Sequence, residues 1–135
     1  MGKYMNPPAI FSSLFGGIVT YLLGGWDTLA KAFIVLMVLD YFTGILKAIY
    51  TKTLSSRIGV KGIITKVSYI AIVSVAVIAS EVWNIPTIRE MVLCFFIANE
   101  CISILENAVE SGAKLPTKLK EVLLQLRDKD NSEGG

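Results

Sequence analysis

The 135-residue chain is 53% hydrophobic and 18% charged, has a mean hydropathy of +0.61, and sets 13 Lys/Arg against 11 Asp/Glu for a formal charge of +2. That length holds one domain at most. A soluble domain so small would leave too much of this apolar surface in water, so lipid is the expected solvent. So weak a charge gives no reason to expect a nucleic-acid partner. With no histidine, imidazole acid–base chemistry, the usual zinc signatures and His-activated nucleophiles are all removed; neither enzyme activity, a cofactor nor a metal site is expected.

The chain opens MGKYMNPPAIFSSLFGGIVTYLLGGW. A basic residue ahead of an apolar run has the look of a secretory leader, but the run is long and no small-x-small cleavage site closes it, so it is read as retained. Tyr4 to Trp26 carries no charge and could span a bilayer, which takes about 20 residues. Within it Ser12, Gly16, Thr20 and Gly24 place a small residue at every fourth position. This pattern lets helices approach closely in lipid, and helix packing is the role assigned to it. The plainer reading is that small residues are common in membrane helices.

Three further apolar segments follow: Leu29 to Tyr50, Val67 to Trp83, and Met91 to about Ala108. Strand alternation is missing, and only helices or closed barrels satisfy the backbone in hydrocarbon, so all are read as helices. Lys52, Arg57, Lys61 and Lys66 lie between the second and third segments, and Lys114, Lys118, Lys120, Arg127 and Lys129 follow the fourth. The other connections hold only Lys31 and Arg89. The two basic regions are an even number of crossings apart, so both can face the cytoplasm; Lys52, Arg57, Lys61, Lys66, Lys114, Lys118 and Lys120 are assigned to headgroups and topology. Four spans are favoured over three. The tail repeats Leu115, Leu119, Val122, Leu123 and Leu126 at helical spacing, which predicts a short amphipathic helix on the membrane or a partner, with a disordered end. The expected organisation is a transmembrane helical domain over residues 1–113 and a cytoplasmic helix and tail over 114–135. Cys94 and Cys101 are too far apart along a helix to bridge.

Asp40 sits inside the second segment. An acid at a helix centre costs about 2.5 to 3.5 kcal/mol, against about 0.3 to 0.6 kcal/mol gained for each Leu, Ile, Val or Phe near the centre. The helix can insert, but a charge kept at that cost faces a partner or water. Asp40, Thr43, Gly44 and Lys47 share one stripe. In the fourth segment Asn99, Ser103, Glu106 and Glu110 share a face, with Glu100, Asn107 and Ser111 beside it. Such stripes can form a dry hydrogen-bonded core, with Asp40 paired to Lys47 or Lys31. They can instead face a shared wet interior, which in so small a protein requires several copies.

The stretches DYFTGILKAIYTKTLSSRIGVKGIITK and NECISILENAVESGAKLPTKLKEVL resemble the phage-lysis and toxin-secretion holins of Gram-positive bacteria and their phages. The resemblance covers roughly residues 29 to 126 and is carried by Asp40, Thr43 and Gly44; Ser55, Ser56, Gly62 and Lys66; Asn99, Glu100, Ser103, Glu106 and Asn107; and Pro116. The stretch up to Trp26 matches least. It implies an all-α integral membrane protein of three to four transmembrane helices plus the C-terminal amphipathic helix, held in the cytoplasmic membrane by lipid contacts with its C-terminus inside. Copies would self-associate into a homo-oligomer and permeabilise the membrane at a set time. An endolysin, or in some relatives a toxin, would leave as cargo rather than bind stably. Asp40, Thr43, Gly44, Lys47, Asn99, Glu100, Ser103 and Glu106 would line the pore or pair helices. Two rivals stay open: a small ion or solute channel subunit, and a non-conducting holin antagonist or membrane anchor.

Overall fold

The computed structural model describes residues 6–133, and those residues form five helices: α1 (Pro7–Leu22), α2 (Thr28–Tyr50), α3 (Ser56–Trp83), α4 (Thr87–Glu110) and α5 (Thr117–Glu133). Local chemistry sets the starts. The Asn6 side chain accepts from the Ala9 amide ahead of Pro7 and Pro8, Asp27 caps α2 through the Ala30 amide, and Ser55 caps α3 through the Ile58 amide. At its far end α3 stops on Asn84, held in the left-handed region at φ 53°.

Three of these helices, α2, α3 and α4, are long and apolar enough to cross a membrane. The first apolar segment is shorter than the sequence reading made it. Its α1 has 16 residues, about 24 Å, against a hydrocarbon core of about 30 Å. Gly24 (φ 75°) and Gly25 (φ 133°) turn the chain just beyond it. Tyr4, the expected start of that span, lies outside the described residues. Gly24 therefore does not extend the small-residue stripe: it is a turn glycine, and a Cβ there would meet Val77 and Arg89 at 3.0 Å. Gly16 and Gly17 have nothing within 4 Å of a Cβ position, so among the described residues the Ser12–Gly16 part of the stripe packs on no other helix. With three crossings the two basic regions still fall on one side.

The most extensive interface joins α2 to α4, and α3 packs beside them. The core is Leu23, Ala30, Phe33, Met37, Val73, Val77, Leu93 and Phe96, with the Phe96 ring 5.9 Å from Phe33 and 4.5 Å from Tyr69. Much of the outer surface is apolar too: Val38, Phe42, Ile64, Val75, Ile78 and Val82 are all exposed. Lipid is the solvent that such an exterior requires.

At the end of the bundle that holds the α1–α2 and α3–α4 turns, Arg89 of α4 ties together α3 and the ends of α1 and α2. Its guanidinium donates to both Asp27 oxygens (2.8 and 2.9 Å) and to the Leu23 carbonyl (2.7 Å), while its own amide donates to the Ser80 hydroxyl (2.9 Å). The Arg89 hydrogen bonds, and then the Ala30 amide, hold the Asp27 carboxyl down at about 2 from an ordinary 3.8. A depressed carboxyl pKa stabilises above the unfolded value and loses that contribution as pH falls through the folded one. The natural chain is therefore expected to melt higher in detergent than Asp27→Asn at pH 5, by a few tenths to about 1 kcal/mol for a half-exposed pair. The gap should close between pH 4 and 2. Asn caps a helix as well as Asp, so the comparison isolates the ion pair.

The last helix α5 reaches Glu133, so the charged stretch expected to be disordered is helical to that point. Leu119, Val122 and Leu126 are exposed along it, consistent with the expected amphipathic face. Pro116 directly precedes its first residue.

Candidate functional site

Asp40, Lys66 and Glu100 each fall close to the middle of their helices, α2, α3 and α4 respectively. At 1.5 Å per residue all three sit about 15 to 20 Å from an end of their helix, near mid-depth. They meet there. The Lys66 ammonium donates to Asp40 Oδ2 and to Glu100 Oε2, and the Glu100 side chain is 1% exposed. On the other side of Asp40, Asn107 Nδ2 donates to Asp40 Oδ1 (3.1 Å), to the Asp40 carbonyl (3.3 Å) and to Thr43 Oγ1 (3.1 Å). Three helices are thus joined by one ammonium and one amide. Among the described residues no buried side-chain nitrogen or oxygen lacks a partner. One lysine between two carboxylates still leaves a formal surplus of one negative charge, where a charge is expensive.

This geometry corrects the sequence reading at Lys66, which was placed among the headgroup residues. The reading began the third span at Val67, but Ser55 caps a helix that starts at Ser56, so Lys66 is deep inside it. A signal was present: Asp40 stands as far before Thr51 as Lys66 stands after Ser55, equal depths on the two arms of a helical hairpin. Lys52, Arg57, Lys61, Lys114 and Lys118 are exposed, and Lys120 is half-buried. Asp40 therefore takes neither of the expected lysines. Lys31 is exposed, and Lys47 pairs with Glu110 at 3.1 Å.

The α4 face that turns inward carries Leu93, Phe96, Glu100, Ser103 and Asn107, not the expected Asn99–Ser103–Glu106 row. Asn99 is half-buried outside the cluster, and Glu106 is exposed. The two rows share Ser103 and differ at Asn99 against Glu100 and Glu106 against Asn107, a rotation of about 70° of the helix. The inward one is selected because it continues the apolar row that packs on Phe33.

Beside the charges lies a cleft of about 200 Å³, lined by Asp40, Tyr41, Gly44, Lys47, Lys66, Ser103 and Asn107 among others. Tyr41, which sequence reasoning did not assign, forms a wall. Its hydroxyl donates to the Gly59 carbonyl at 3.3 Å, and a Cβ on Gly62 would stand 3.1 and 3.2 Å from its ring. Gly44 differs, since a Cβ there would lie 3.7 Å from Asn107 Nδ2, an ordinary contact. Alanine gains about 1 kcal/mol of helix propensity over glycine, while overpacking costs about 1 to 3 kcal/mol. Gly44→Ala is thus expected to be neutral or to raise the melting temperature in detergent, and Gly62→Ala to lower stability by up to about 2 kcal/mol.

Residues 17–128 match the bacteriophage holin family. The chain belongs to that family. Similar proteins include an uncharacterised protein of Listeria innocua, 39% identical over 120 residues (88% of this chain, 86% of the relative). Another is from Listeria monocytogenes, 41% identical over 111 residues (82% and 79%). A probable holin of Bacillus phage phi105 is 31% identical over 101 residues (74% of each chain). No solved structure matches. Holin membership together with three long apolar helices makes this a multi-pass membrane protein. The region matched to holins includes all of α2, α3 and α4, and hence the whole charge cluster.

Proposed function

We propose that the chain is a holin in action as well as in family: it accumulates in the bacterial cytoplasmic membrane, self-associates and permeabilises it at a timed point. An endolysin, or a toxin, then escapes and the host lyses. The observation that carries this reading is the Asp40–Lys66–Glu100 cluster at mid-depth, with Glu100 buried and its partners mostly so, in a family of holins. A purely structural span has no use for three charges there, whereas a lesion needs polar groups at the level where lipid is driest. The basic loop and tail would hold the C-terminus in the cytoplasm.

The pairing of Asp40 within one chain also favours a second reading, the non-conducting antagonist or anchor, because such a protein needs its charges satisfied internally. Induced expression in a bacterium, with membrane potential and then dye entry followed in time, separates the two. The holin reading expects abrupt depolarisation after a delay, and altered timing or no lesion from Asp40→Ala at the same membrane level. Steady accumulation of the natural chain without depolarisation would move the assignment to the antagonist or anchor.

A further inference from the structure

We infer that the fold described above is the shut, pre-lesion state, and that Lys66 is the latch that keeps it shut. This rests on the holin reading. The polar side chains Asp40, Thr43, Glu100 and Asn107 turn toward one another inside a single chain. The surfaces by which copies could meet, such as those of Val38, Phe42, Ile64 and Val75, are apolar. A ring of such bundles packed rigidly through those surfaces would present hydrocarbon side chains to its own lumen. Water would meet polar groups in the cleft beside Asp40 and Lys66, but no continuous polar wall. To line an aqueous path, the stripes of α2 and α4 must part from each other, and the charged tie between them at mid-depth is Lys66 from α3, beside the direct Asn107–Asp40 hydrogen bond.

The latch is built to be releasable. The site holds one ammonium for two carboxylates, so either carboxylate can keep Lys66 while the other turns away. The neighbouring cleft of about 200 Å³ gives incoming water a place beside the cluster, since a single water needs only about 10 to 15 Å³ of such space. At Gly59 and Gly62 the Tyr41 ring lies directly against the α3 backbone, at the edge of this cleft. Bistable packing of this kind converts a small local change into a large one.

The test compares the natural chain with Asp40→Asn, which removes one arm of the latch while leaving the Lys66–Glu100 pair, and with Lys66→Arg, which keeps the cation. Backbone amide exchange is measured on each purified chain in lipid nanodiscs, and depolarisation delay is measured in cells at equal membrane level. Asp40→Asn is expected to raise exchange at least several-fold in residues 56–70 and 100–110, and to shorten the delay at least twofold. Lys66→Arg should stay within twofold of the natural chain in exchange. Unchanged exchange in Asp40→Asn would overturn the latch, whatever happens in cells. Faster exchange with an unchanged or longer delay would also overturn it, as a control on timing. A natural chain that never depolarises would instead remove the holin reading, and with it the pre-lesion assignment, while exchange would still report whether Lys66 locks the bundle. Should Asp40→Asn fail to accumulate, Glu100→Gln, which removes the other arm and leaves the Lys66–Asp40 pair, carries the same expectations.

Discussion

Lys66→Met should be the most damaging single substitution in this protein. Methionine fits the volume and suits a helix, so nothing is lost in backbone propensity. What remains is buried Glu100 and mostly buried Asp40 without their shared cation, and breaking a buried pair from one side costs about 3 to 5 kcal/mol. Against a total stability of about 5 to 15 kcal/mol, that is a large fraction. The expected result is membrane accumulation reduced several-fold, with the fraction that inserts melting far below the natural chain in detergent. By contrast Lys61→Met, five residues nearer the α2–α3 loop and exposed, should change stability by less than about 0.5 kcal/mol. Quantitative immunoblotting of membranes and a detergent melt on the two variants decide it. Equal behaviour would mean that Lys66 snorkels to the interface and that the cluster does not hold.

The contrast between those two lysines shows which parts of the site the sequence makes legible. Helix class, membrane embedding and the odd status of Asp40 follow from periodicity and transfer energies, because both are local properties of a segment. The Asp40–Thr43–Gly44–Lys47 stripe is also local, since four residues on one helix share a face in any context. What is not local is the partner. Asp40 finds Lys66 26 positions away and Asn107 67 positions away, and which of several lysines it takes depends on where α3 begins. Reading Lys61 and Lys66 as loop residues hid that start; recognising Ser55 as a cap would have exposed it. The face of α4 presents the same difficulty in rotation. Glu100 and Glu106 are both acids in one amphipathic stretch, and the packing of Phe96 on Phe33 and Tyr69 decides that Glu100 is the one turned inward. Arg89 was legible only as a lone basic residue in a connection. Its contacts with Leu23, Asp27 and Ser80 come from three different helices or turns and have no signature in spacing.

Replacing the whole cluster should uncouple stability from action. In the triple variant Asp40→Leu, Lys66→Met, Glu100→Leu no charge is left unpaired, and apolar replacement of a buried ionic triad is often neutral or stabilising by about 1 to 4 kcal/mol. Asn107 would lose the Asp40 carboxylate but keep the Asp40 carbonyl and Thr43 as acceptors, so it would not be stranded. The second apolar helix also gains the roughly 2.5 to 3.5 kcal/mol of insertion cost that Asp40 imposed. The triple variant is therefore expected to accumulate at least as well as the natural chain and to melt as high or higher, the opposite of Lys66→Met alone. Its action should go the other way: without polar groups at mid-depth there is nothing for water to follow, and cells expressing it should keep their membrane potential throughout induction. If the triple variant instead depolarised on the natural schedule, the charges would be structural and the path across the bilayer would have to be built elsewhere. If it accumulated silently, the three charges would be kept for permeabilisation at a measurable cost in stability.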